Sequence, residues 1–148
     1  MVATVIDVTA PDFVSADISY STITLTYSES LSTTTAPAGA FSVTVDGGAR
    51  SVTSVSRWSL NQTVLLLALS SPVSAGQKVT VTYADPTAGD DASAVQDLAG
   101  NDAVSLAETP VRNSASDTVA PVFVSAATNT AGTKVVLTYS EALSTTTA

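Results

Sequence analysis

Cysteine is absent from all 148 residues, and so is histidine. The first absence excludes a disulfide-stapled fold and any thiolate nucleophile or soft metal ligand. The second removes the commonest general base and the commonest transition-metal ligand. Basic residues number 5 against 13 acidic ones, giving a formal net charge of −8, so phosphate backbones and anionic membranes are repelled. Nucleic acid is not an expected partner. The longest apolar run, Val64-Leu65-Leu66-Leu67-Ala68-Leu69, is far short of the roughly 20 residues a membrane-spanning helix needs. Met1-Val2-Ala3-Thr4 lacks the basic start of a secretory signal, so an export signal is expected outside this stretch. Aromatic side chains make up only 5% of the chain. A glycosidase built on carboxylate pairs such as Asp90-Asp91 or Asp97 with Asp102 would need more aromatic and arginine contacts to sugar than that. No enzymatic activity is expected.

What the chain does have is a copy of part of itself. The segment from Asp7 to Ala36 returns from Asp117 to Ala148: Ala10-Pro11-Asp12-Phe13-Val14-Ser15-Ala16 matches Ala120-Pro121-Val122-Phe123-Val124-Ser125-Ala126. Leu25-Thr26-Tyr27-Ser28-Glu29-Ser30-Leu31 matches Leu137-Thr138-Tyr139-Ser140-Glu141-Ala142-Leu143. Pro11 returns as Pro121 and Tyr27 as Tyr139, so the displacement grows from 110 to 112 residues, which places a two-residue insertion near Thr130-Ala131-Gly132. A period of this length suits a β-sandwich of about 100 residues and is too long for a solenoid unit.

Hydrophobic residues make up 45% and charged residues 12%, a balance suited to strands with one packed and one hydroxyl-rich face. Ile23, Leu25 and Tyr27 alternate with threonines, and Phe41-Val43-Val45, Val79-Val81-Tyr83 and Val135-Leu137-Tyr139 repeat the period of two. Asp46-Gly47-Gly48 supplies a hairpin turn between Phe41–Val45 and a strand over Ala49–Ser56. Val64–Leu69 is apolar at consecutive positions and reads as a central strand covered on both faces, with Trp58 or Tyr83 in the core beside it. Glu29-Ser30-Leu31 reads as one helical turn with the leucine inward. The fold expected is all-β, an Ig-like Greek-key β-sandwich. One complete domain spans 10–112, an N-terminal strand or linker spans 1–9, and a linker with the incomplete start of the next repeat spans 113–148.

Leu25-Thr26-Tyr27-Ser28-Glu29, Phe41-Ser42-Val43-Thr44-Val45, Val79-Thr80-Val81-Thr82-Tyr83 running into Asp85-Pro86, and Gln96-Asp97-Leu98-Ala99-Gly100-Asn101 together resemble the Ig-like repeat of a cyanobacterial swimming-motility surface protein. Such repeats recur in large bacterial exoproteins and adhesins. The resemblance covers nearly all of residues 10–110. It implies a structural or adhesive repeat of an extracellular, surface-displayed protein, with no catalytic residues to carry over. The stretch Ala88–Ala94 is longer and more acidic than the resemblance leads one to expect.

Asp85, Asp90, Asp91, Asp97, Asn101 and Asp102 gather hard oxygen ligands in one loop region, and calcium is the ion they suit. Asp7 and Asp117 precede the Ala-Pro that opens each copy, where a linker carboxylate can ligate an interdomain calcium. The alternative at both places is local: Asp97 and Asn101 bonding the backbone around Gly100, and Asp7 and Asp117 closing Asx turns. Neighbouring repeats are the expected partners, and the expected role is a passive spacer. Two alternatives stand beside it. In one, the acidic loops bind a glycan or protein receptor. In the other, the exposed Val135, Val136, Leu137 and Tyr139 and the β-prone Val2, Val5, Ile6 and Val8 join chains head to tail into a filament by strand addition.

Overall fold

The computed structural model describes residues 6–143, which fall into two compact units divided between Ser116 and Asp117. The first unit holds strands β1 (Phe13–Ser19), β2 (Thr22–Tyr27), β3 (Phe41–Val45), β4 (Gly48–Arg50), β5 (Val52–Arg57), β6 (Val64–Leu69), β7 (Val79–Tyr83) and β8 (Leu106–Asn113). The second holds β9 (Phe123–Thr128) and β10 (Val135–Tyr139). Among the described residues the helical content is one 3-10 turn, Ala38–Ala40.

The first eight strands are hydrogen-bonded in the order β4-β3-β7-β8-β1-β2-β6-β5. Every pairing is antiparallel except β1 with β8, which run parallel and meet at Asp17↔Arg112 and Ile18↔Asn113. The chain crosses between the two halves of this order after β2, β4 and β6, and the halves fold over a shared core as a β-sandwich. Ile23, Leu25 and Tyr27 of β2 are buried while its threonines are half-buried, and β7 repeats the pattern. Phe41 stacks on Tyr83 at 5.0 Å between ring centroids. The Tyr83 hydroxyl accepts the Val95 N–H at 3.0 Å, so the polar end of a buried ring is satisfied and pins the following loop.

The central strand expected at Val64–Leu69 is β6, flanked by β2 and β5 and buried or half-buried throughout. Three expectations need correction. Trp58 is 39% exposed: β5 lies at the edge of the sheet, and Trp58 turns back there with its N–H on Val64 O, which leaves the ring at the rim. Tyr83 occupies the core instead. Glu29-Ser30-Leu31 forms no helical turn. Leu31 is inward as expected, but it is held by an isolated bridge to Asp97 and by its N–H on Gln62 O. The strand expected over Ala49–Ser56 breaks at Ser51, because β4 pairs with β3 and β5 pairs with β6 in the other half. The turn before it is a two-residue hairpin, with Asp46 at φ 51 and Gly47 at φ 81 and Val45 paired to Gly48, the left-handed geometry that matches strand twist.

At the N-terminus, the described residues 6–12 form no strand, and Ile6 and Val8 are exposed. Val2 and Val5 lie outside the described residues.

The second unit reproduces the first hairpin's ladder up to its turn. Ala126 pairs with Leu137 as Ala16 pairs with Leu25, and the same irregularity interrupts both ladders at Val14 and Val124. Phe123 meets Tyr139 edge-on at 6.1 Å, as Phe13 meets Tyr27 at 6.2 Å. Ser140 Oγ accepts the Val122 N–H at 2.9 Å, as Ser28 Oγ accepts that of Asp12. The inserted residues lengthen the turn, where Asn129 Oδ1 accepts the N–H groups of Thr133 and Lys134. The difference is burial: Leu25 is fully buried and Leu137 is 52% exposed.

Candidate functional site

The loop after Val95 is organised around one carboxylate. Asp97 is 2% exposed, and its Oδ1 accepts the N–H groups of Ala99 (2.8 Å), Gly100 (2.6 Å) and Asn101 (2.8 Å). Gly100 has φ 96, a conformation that glycine adopts without strain, and this lets the chain curl three successive N–H groups toward one oxygen. Burial opposes the charge on Asp97, but the donors of Asn101, Gly100 and Ala99 outweigh it and hold the carboxyl below its usual range. Asp97 and Asn101 thus both bond within the loop around Gly100.

Asn101 passes this order on to the chain entering the domain. Its Nδ2 donates to Asp97 Oδ2 at 2.7 Å and also faces Asp7 O at 3.3 Å and Thr9 O at 3.2 Å. Two amide hydrogens serve these three acceptors. Asp7 shapes the same segment through an Asx turn, Oδ1 accepting the Thr9 N–H at 3.0 Å.

These contacts bring Asp7 and Asp97 beside a residue that the loop-by-loop reading missed, Glu29. One carboxylate oxygen from each of the three lies within 4.8 Å of the others. With Ser30, Leu98 and Ala99 they line a shallow cavity of about 340 Å³. Desolvation, then the charges of Asp97, Asp7 and Asp12, push the Glu29 carboxyl above its usual value. Among the described residues the one ion pair is Arg112 with Asp17, between β8 and β1, so no basic side chain pairs with the cluster. Oxygens at this separation can share one calcium, since two ligands at 2.3–2.6 Å span up to about 5 Å. Waters or backbone carbonyls would have to complete the 6–8 ligands such an ion takes.

The other acidic residues are spent on the loop's own backbone. Asp85 Oδ1 accepts the Thr87 N–H, Asp90 Oδ1 that of Asp102, and Asp91 Oδ1 that of Ser93. Asp102 Oδ2 accepts the Asp91 N–H at 2.9 Å, and its carboxyl is raised by desolvation, and further by the charges of Asp85, Asp90 and Asp91. None of these four joins the three-carboxylate group among the described residues. In the second unit Asp117 closes the same Asx turn, on Val119 at 3.0 Å. Glu141, the counterpart of Glu29, is raised by desolvation and then by its charge and hydrogen-bond contact with Asp117. The signal that could have found Glu29 was therefore in the repeat: Asp7 and Glu29 return together as Asp117 and Glu141.

The family model of the "Putative flagellar system-associated repeat", or SWM repeat, matches residues 6–88, more than half of the chain. The chain belongs to this family. No curated protein matches it. Among solved structures, the N-terminal part of the bacterial S-layer protein SbsC is similar at 20% identity and a TM-score of 0.55, over 82% of this chain and 26% of that one. Domains 1–6 of SbsC are similar at 16% identity and a TM-score of 0.57, over 89% and 18%. At these identities the likeness is one of fold, and the SWM repeat chain spans about a quarter or less of either structure. The family match ends at Ala88, so the Asp97–Asn101 loop lies beyond it. Among the described residues no helix is long and apolar enough to cross a membrane.

Proposed function

We propose that this SWM repeat is a non-enzymatic structural module of a bacterial surface protein, a spacer set in tandem with others of its kind. The observation that carries this reading is the second hairpin, which keeps the register, the bulge, the aromatic contact and the serine clip of the first. A chain that restates one hairpin in this detail suits tandem repetition, and the family and fold likeness agree with that role. The test is a glycan and protein array probed with the isolated chain. A passive module gives no reproducible ligand, and a saturable ligand at the loops would contradict it.

We further propose that Asp7, Glu29 and Asp97 hold a divalent cation, calcium by the hardness of the ligands. The entering segment supplies Asp7 and the domain supplies the other two, so an ion there would fasten linker to repeat. Calorimetry with millimolar calcium tests this: a binding heat that disappears in the Asp7→Asn, Glu29→Gln double variant is expected, and no heat, or heat unchanged in that variant, contradicts it.

The exposed face of β9–β10, with Val135, Val136 and Leu137, supports a second reading in which chains associate through this hairpin. Equilibrium sedimentation separates the two. A mass that grows with concentration goes with filament-like association, and a monomer at all concentrations goes with the tandem spacer alone.

A further inference from the structure

We infer that the repeat is built to bear tension along its length, from the segment that enters at Asp7 to the segment that leaves after Asn113. This deepens the structural-module reading. The entering segment leads into β1, the exit follows β8, and β1 and β8 are the two middle strands of the sheet order. They run parallel, with Asp17 opposite Arg112 and Ile18 opposite Asn113. Entry and exit therefore sit at opposite poles, about 16 Å apart along β1 at roughly 3.3 Å per residue. Pulling them apart slides each strand along its neighbours. The ladder bonds lie across the pull, so they are loaded together rather than opened one at a time, which is the strong geometry for a sheet.

Both ends are also tied before the strands take load. At the entry pole, Asn101 Nδ2 faces Asp7 O and Thr9 O, and Asp12 and Ser28 clip each other twice, Asp12 N–H to Ser28 Oγ and Ser28 N–H to Asp12 O, each at 2.9 Å. Pro11 between them is fully buried. At the exit pole, Asn113 Nδ2 donates to Ser74 O at 2.8 Å and Gln77 O at 3.1 Å, and the Ser114 N–H donates to Ile18 O at 2.8 Å. The Asp17–Arg112 ion pair ties β1 to β8 beside the exit pole.

The absence of cysteine makes the test direct, because two introduced thiols define the pulling axis in the full chain. Handles at Ile6→Cys and Ser116→Cys pull end to end. Handles at Ser51→Cys and Ser70→Cys, at adjacent ends of β5 and β6, peel one strand from the sheet edge. At one loading rate and in chelator, the end-to-end unfolding force is expected to be about twofold or more above the peeling force, since forced unfolding reports the barrier along the pulled direction. Asn101→Ala with Asn113→Ala lowers the end-to-end force and leaves the peeling force unchanged. Equal forces on the two axes, or an end-to-end force that survives the double variant, overturns the inference. Because chelator is present and no cells are involved, neither a missing cation nor a different cellular location can imitate that failure.

Discussion

Asn101 and Asn113 tie the two poles of the first repeat in the same way. Each carboxamide nitrogen reaches two main-chain carbonyls of a segment remote in sequence, Asp7 and Thr9 for the one, Ser74 and Gln77 for the other. Asn101 can do this because Asp97 holds it from behind, accepting both its backbone N–H and its side-chain amide.

The first prediction follows from that dependence. Asp97→Ala leaves three loop N–H groups and the Asn101 amide without their acceptor, at a cost of about 2–4 kcal/mol by urea unfolding with the m-value unchanged. Because the folded carboxyl titrates below its ordinary value, its contribution is present at neutral pH. It is lost as pH falls below about 4 and through the lowered folded value. Asp97→Asn should flatten that acid limb. An Asp97→Ala variant within about 0.5 kcal/mol of wild type would show that the loop does not depend on this carboxylate.

Glu29 carries the opposite sign. Its carboxyl is raised in the fold, so its charge opposes folding above the raised value and the opposition fades as pH falls through it. In chelator at neutral pH, Glu29→Gln is expected to stabilise the fold slightly, by about 0.5 kcal/mol or less, which raises the melting temperature by roughly 3 °C at most. With calcium the order reverses, because wild type gains from the ion by mass action and the variant does not. A variant that tracks wild type in both conditions would remove Glu29 from the site.

The two hairpins supply a packing prediction. Leu25→Ala should cost about 2–5 kcal/mol in the main unfolding transition, since the side chain is fully buried between the sheet halves. Leu137→Ala, the same residue in the second copy, should leave that transition within about 0.5 kcal/mol, because its side chain is half exposed. Equal costs would mean that the second hairpin is packed in solution.

What was legible in the sequence is what depends on neighbours along the chain. The period of two placed β2, β3, β7 and β10, and the return of Asp7–Ala36 marked the repeat. The Asx turns at Asp7 and Asp117 and the curl around Gly100 are likewise local. What depends on distant partners was not legible. The kink at Ser51 exists because β4 and β5 answer to different halves of the sandwich. Trp58 is at the rim because β5 is an edge strand, a fact of topology. Glu29 meets Asp7 and Asp97 only because the end of β2, the entering segment and the loop after Val95 share one pole, a convergence no spacing in a single copy encodes.

Immunogold labelling of intact cells that make the protein tests whether this SWM repeat stands at the bacterial surface, as the proposed structural role requires. Antibodies raised against residues 7–116 should decorate unbroken cells, and brief protease treatment of those cells should remove the label. Label that appears only after the cells are opened would place the repeat inside the cell and rule out a surface role.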